Sequence, residues 1–125
     1  MRVSIDHIVL KSINSLKLAK FYSEIFGFEI LRLDEFLAKK TLFISLRLNE
    51  DSIIDIFEVK NLPKEQNLDH FCLSVTKDDF ELILSKIESK NIEYKKASHL
   101  FGAKGYADSI YFRDLDRNKV EVRFY

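Results

Sequence analysis

The dipeptide Asp-His occurs twice in this chain, in "SIDHIVLK" at residues 6–7 and in "NLDHFCLS" at residues 69–70. Each copy heads an apolar run, and the chain holds only three histidines in 125 residues. This recurrence constrains the fold more than any other feature, because it marks a structural unit written twice. The first copy opens a β-branched segment, "RVSIDHIVLK" (2–11), that reads as a strand. "SLKLAKFYSEIFGF" follows, with apolar residues at 18, 21, 22, 25 and 26, the period of a helix. Asn14 or Ser15 can cap its start and Gly27 its end. Three strands are expected next, at 28–33, 41–48 and 52–59, the last two parted by the turn signal "NED".

The second copy repeats that order. "LDHFCLSV" (68–75) is a strand, and "TKDDFELILSKIESKN" a helix with Thr76 and Asp79 at capping-box spacing and a stripe of Phe80, Ile83, Leu84 and Ile87. Strands at 92–97, 109–114 and 119–125 complete the unit, with "LDRN" turning the last hairpin. "KNLPKEQN" (60–67), holding the only proline, is a linker by composition. The expected class is α+β: two tandem βαβββ modules, 1–59 and 68–125, within a single domain.

Composition excludes several functions. Lys+Arg and Asp+Glu both number 20, and no charge block marks a nucleic-acid or membrane surface. Cys72 is the only cysteine, so no internal disulfide forms, as in a reducing compartment. No apolar run reaches the roughly 18 residues of a membrane span, and Asp6 and His7 break the N-terminal run, unlike a signal peptide. A cytoplasmic protein is expected.

Aligning the repeats sets His7 against His70, and "IIDIF" against "KVEVR", so that Asp55 matches Glu121. Strand alternation puts Glu121 on one face with Lys119 and Arg123, and His70 with Cys72 and Ser74. A carboxylate buried there needs compensation, which a divalent cation would supply. Two histidines and one carboxylate form a recognised set for open metal sites. Asp6 and Asp69 are expected to point away from the histidines beside them, as turn or edge residues.

"DHIVLKSINSLKLAKFYSEIFGFEI", "LDHFCLSV" and, most specifically, "SIYFRDLDRNKVEVRFY" make the chain resemble the vicinal oxygen chelate superfamily of glyoxalases, bleomycin-resistance proteins and extradiol dioxygenases. The family hairpin reads Ser-Ile-Tyr-Phe-x-Asp-Pro-Asp-Gly-Asn; here Leu115 replaces the proline and Arg117 the glycine. "GAKG" (102–105) is similar to a loop of a glyoxalase-like subgroup. The resemblance implies that the two modules pair into a cupped, barrel-like mixed sheet holding one divalent metal ion (Fe, Mn, Ni, Co or Zn). It carries His7, His70 and Glu121 onto the ligand positions, with Asp55, one methylene shorter than the family's Glu or Gln, at the fourth. It implies a glyoxalase-like lyase or isomerase acting on a small substrate with vicinal oxygens, and a homodimer. The alternatives are an Fe(II) extradiol-type dioxygenase and a non-enzymatic drug-binding resistance protein. Fosfomycin modification fits less well, because the phosphonate-binding Ser and Arg have no counterpart.

Around such a metal, a symmetric final hairpin puts Tyr111 across from Glu121 and Ser109 across from Arg123. Tyr111 is a candidate proton donor or a packed aromatic. Arg123 could bind an anionic substrate group or pair with a carboxylate. His99 and Lys104 lie in "HLFGAKGYAD", expected to be a loop that Gly102 and Gly105 let move as a lid over substrate. Cys72 is expected to be a small core residue, not a nucleophile.

Overall fold

The computed structural model describes residues 1–2, 5–66 and 68–125. Val3 and Ser4, in the expected first strand, and Asn67, in the expected linker, lie outside the described residues. Two compact units divide the chain, Met1–Lys64 and Glu65–Tyr125.

The first unit runs β1 (His7–Ser12), α1 (Ser15–Phe26), β2 (Glu29–Leu31), α2 (Leu33–Leu37), β3 (Phe43–Arg47) and β4 (Ile53–Glu58). Its sheet has the order β1-β4-β3-β2, with β1 parallel to β4 and the other pairs antiparallel. α1 begins where Asn14 accepts the Lys17 amide at 3.1 Å and ends at Gly27, whose φ of 73° is left-handed backbone that glycine adopts without strain. Leu18, Ala19, Tyr22 and Ile25, at helical spacing, are buried, as are Ile44, Leu46, Ile54 and Ile56 at strand spacing. Burying a side chain such as Leu18 or Ile25 contributes about 1.5–3 kcal/mol.

The sequence reading missed α2, extending β2 to residue 33 and giving 34–40 no element. Arg32 turns left-handed (φ 62°) and starts a single helical turn with Asp34 and Glu35 at its N-terminal end. No side-chain cap or long apolar period announces so short a helix.

The second unit runs β5 (Phe71–Ser74), α3 (Lys77–Ser89), β6 (Tyr94–Gly102), β7 (Gly105–Arg113) and β8 (Lys119–Arg123), with sheet order β5-β8-β7-β6. β5 is parallel to β8, as β1 is to β4. Thr76 accepts the Asp79 amide at 3.2 Å to cap α3, which buries Ile83 and Ile87. The expected α+β class, with a βαβββ plan in each unit, is therefore what the chain adopts.

Two local features differ from expectation. Residues 98–108 do not form a loop: β6 and β7 continue as a hairpin to Gly102↔Gly105, with an irregularity between Ala97 and Leu100 where His99 takes φ 56°. The hinged lid is therefore replaced by a paired ribbon. In the β7–β8 turn, Arg117 takes the left-handed conformation (φ 67°) that glycine favours. Asp114 holds that turn, accepting the Asp116 and Asn118 amides at 2.9 Å each and the Asn118 side-chain amide at 2.8 Å. Among the described residues, no helix is long and apolar enough to cross a membrane.

Candidate functional site

β8 carries the centre of the site. Glu121 and Arg123 are two residues apart on one strand, so alternation sends both side chains to the same face. The hairpin register sets Tyr111 opposite Glu121 and Ser109 opposite Arg123, as the sequence implied, while β5 brings Cys72 opposite Glu121. Glu121 is only 3% exposed and Arg123 only 4%.

A buried carboxylate needs donors, and this one has them. Glu121 Oε2 accepts from Ser109 Oγ at 2.7 Å, Arg123 Nε at 2.9 Å and Arg123 Nη2 at 2.6 Å. Oε1 accepts from the Tyr111 hydroxyl at 2.7 Å and faces His70 Nε2 at 3.2 Å. Burial by itself would raise the Glu121 carboxyl; the bonds from Tyr111, Ser109 and Arg123 outweigh it and hold the group down at about 2. The compensation that the sequence reading assigned to a metal is thus supplied within the protein by Arg123 and two hydroxyls. Tyr111 is pushed up to about 12 by burial and by its bond to the carboxylate. Arg123 is raised, chiefly by its bond to Glu121.

His70 lies between two carboxylates. Its Nδ1 is 2.7 Å from Asp69 Oδ2, its Nε2 faces Glu121, and its ring meets Tyr111 edge-on at 5.7 Å. In the other unit His7 Nδ1 is 2.6 Å from Asp6 Oδ1, a bond that is the main cause of its raised pKa. Asp6 and Asp69 therefore do not point away, as expected from strand alternation; each side chain bends back onto the neighbouring imidazole. That bond orients the ring and leaves Nε2 as the outward nitrogen. The recurrence of the Asp-His pair was itself the signal for this role.

Asp55 sits opposite Ser45, whose hydroxyl donates to Asp55 Oδ1 at 2.5 Å. Arg32 Nη2 lies 3.7 Å from the same oxygen and donates to Ser45 Oγ at 3.0 Å. Arg32 and Ser45 escaped the sequence reading, since Arg32 reaches the site only through the left-handed turn before α2. Ser109 and Asp69 had been noted without a binding role.

The other candidates fall elsewhere. His99 stacks on Tyr106 with ring centroids 4.3 Å apart, and its amide donates to Asp108. Lys104 lies at the hairpin turn, its amide donating to the Tyr125 hydroxyl at 3.2 Å. Arg123 Nη1 donates to Leu100 O at 3.2 Å, so the guanidinium ties the β6–β7 hairpin to Glu121. Gly102 permits this, since a Cβ there would collide with the Arg123 side chain and the Tyr125 hydroxyl. Cys72 is exposed on β5 and not the core residue expected; its thiol is raised to about 11 by partial desolvation and by the Glu121 charge, which keeps it a protonated, weak nucleophile.

Among the described residues, no group of three or more His, Cys, Asp or Glu side chains gathers as a ready cation cage. The donors of the second unit nonetheless suit a divalent ion. His70 offers an oriented imidazole nitrogen and Glu121 a carboxylate oxygen, and their 3.2 Å separation matches two neighbouring ligands that are each about 2.1 Å from one ion.

A family model described as Glyoxalase/Bleomycin resistance protein/Dioxygenase superfamily matches residues 4–122. The chain is similar to an integron cassette protein from the mobile metagenome of V. cholerae, at 25% identity and a TM-score of 0.74, over 100% of this chain and 98% of that one. Two further likenesses concern the fold alone. Oxidase ChaP-H2 is 18% identical with a TM-score of 0.76, over 100% of this chain and 95% of that one. A lactoylglutathione lyase from Agrobacterium tumefaciens is 19% identical with a TM-score of 0.68, over 98% of this chain and 94% of that one.

Proposed function

Because the chain belongs to the glyoxalase/bleomycin resistance protein/dioxygenase superfamily, we propose that it is a divalent-metal-dependent enzyme of the glyoxalase-like lyase or isomerase kind, acting on a small substrate with vicinal oxygens. The observation that carries this reading is the His70–Glu121 pair, 3.2 Å apart with Asp69 behind the imidazole. His70 and Glu121 are proposed as metal ligands. His7, backed by Asp6 in the same way, is proposed as the third, supplied by the same chain or by a second copy in a homodimer.

A bound divalent ion would supply Lewis-acid stabilisation of negative charge on two adjacent substrate oxygens. The protein's own residues have separate tasks. Arg123 and Ser109 hold Glu121 Oε2 and leave Oε1 facing His70. Tyr111 carries a proton on the oxygen nearest that edge and is the group placed to donate it, or a hydrogen bond, to a substrate oxygen. Asp69 fixes the His70 ring so that Nε2 stays directed at the site.

One observation favours a second reading. Asp55 Oδ1 accepts from Ser45 beside Arg32, and a side chain one methylene shorter than glutamate, held in this way, would stay outside the ligand set. Two histidines and one carboxylate would remain, the set used by Fe(II) oxygenases.

Metal content of the native protein and of His70→Ala, read by plasma mass spectrometry, tests the proposal. About one divalent ion per native chain, lost in the variant, is expected for a site whose ligands act together. A native protein that also refuses added Mn, Fe, Co, Ni and Zn would overturn it in favour of a drug-binding role. Iron with substrate-dependent oxygen consumption would move the assignment to the dioxygenase.

A further inference from the structure

A cleft of about 620 Å³ borders the site on the β6 side, and Tyr111 forms part of its wall. Its charged lining is mostly of one sign: Lys95, Arg113 and Lys119 share the face of Tyr111, and Glu93 is the one acid among the lining residues. Lys95 and Tyr111 are register partners across β6 and β7, and Tyr111 is in turn the partner of Glu121. Alternation therefore lays Lys95, Tyr111 and Glu121 in one row on one face, with side chains about 4.5–5.5 Å apart at their Cβ atoms. Lys119, one step along β8 on that face, holds its ammonium 4.9 Å from the Tyr111 ring centroid and 3.9 Å from Asp69, which is itself largely solvent-exposed. On that face the Tyr111 ring supplies the apolar wall.

The charges within reach thus change sign over a short distance. At Glu121 the cation Arg123 is already consumed by the carboxylate, so it is not free to receive an anion. At the Lys95–Lys119 end, Lys119 makes a loose contact with the exposed Asp69 at 3.9 Å, and Glu93 is the one acid among three cations of the lining on that face. We propose that this cleft is the substrate's anchoring subsite, and that the substrate carries a carboxylate or phosphate on an apolar body. The anion is held by Lys95 and Lys119, and the body extends along Tyr111 towards His70 and Glu121. The orientation rests on the reading of His70, Glu121 and Tyr111 as the reactive end; the anion subsite rests on the lysines and the cleft. This replaces Arg123, Lys104 and His99 as the groups that meet the substrate's charge. Ammonium groups on flexible stems suit such a role, since they follow an anion without requiring a fixed fork.

Phenyl phosphate and benzoate, with benzyl alcohol as the uncharged control, can be titrated into the 125-residue chain while amide shifts are followed by NMR. The titrations are run on metal-loaded and on EDTA-treated protein, so that failure of metal binding is seen apart from failure of anion binding. Shifts of residues 92–97, 111–113 and 119 are expected with either anion and not with the alcohol. Removing both charges in Lys95→Gln/Lys119→Gln should weaken anion binding by about tenfold, and added salt should weaken it in the native protein. Anion binding unchanged by the double substitution, shifts confined to other residues, or equal affinity for the alcohol would each overturn the proposal. So would the absence of binding by either anion.

Discussion

The two units use one plan and fill it differently. β3–β4 of the first and β7–β8 of the second have the same register, so Asp55 matches Glu121, Ser45 matches Tyr111, Phe43 matches Ser109 and Phe57 matches Arg123. Where the second unit sets a serine and an arginine beside its carboxylate, the first sets two phenylalanines with ring centroids 5.4 Å apart. Asp55 must draw its cation from Arg32, at 3.7 Å and with a side chain 43% exposed, whereas Glu121 has Arg123 at 2.6 Å in a buried pair. The hairpins differ to match. β6 and β7 run nine residues each and carry Leu100 O back to the Arg123 guanidinium; β2 has three residues, and α2 takes the place of the extended ribbon. A repeated fold therefore conserves where a carboxylate points and leaves open how firmly it is held. Only the second unit presents its carboxylate to its own histidine within hydrogen-bonding range.

The contrast is most easily broken at the two arginines. Arg123→Met leaves Glu121 buried without its cation and should cost about 3–5 kcal/mol, whereas Arg32→Met removes a half-exposed partner and should cost under about 1 kcal/mol. Urea midpoints measured on both variants decide it; equal losses would mean that the two carboxylates are held alike.

Smaller, and confined to the second unit, is the effect of Gly102→Ala. The added methyl meets Arg123 and Tyr125, and overpacking of this kind costs about 1–3 kcal/mol. A midpoint within error of the native protein would show that the guanidinium can move without loss, and that the hairpin does not lock it.

The pH dependence sharpens the comparison with a subtler change. The Glu121 pKa is depressed from 4.5 to about 2 in the folded chain, so the carboxylate contributes stability that is fully present above 4.5. That contribution is lost as pH falls from 4.5 towards 2. Unfolding curves of metal-free protein should lose stability across that window, and Glu121→Gln should flatten the loss while lowering stability at neutral pH. A variant with the native acid slope would assign the acid sensitivity to other carboxyls.

How much of this was legible beforehand depended on the reach of each interaction. Short-range rules located the helices: Asn14 and Gly27 bound α1, and Thr76 caps α3, because a cap is decided within four residues. Alternation and the "DLDRN" turn set the β7–β8 register, and with it the facing of Tyr111, Glu121, Ser109 and Arg123. The repeat located His7, His70, Asp55 and Glu121 at matching places. Side-chain torsions lay beyond those rules. Alternation directs Asp69 away from His70 as a Cβ vector, yet its carboxylate turns back to within 2.7 Å of the ring. Chain folding decided the rest: that residues 98–108 pair as a ribbon, that Leu100 O meets an arginine 23 residues on, and that Arg32 reaches Asp55. A sequence period states which face a residue occupies. Which long polar side chain satisfies a buried charge depends on where distant backbone comes to lie, and only the folded chain determines that.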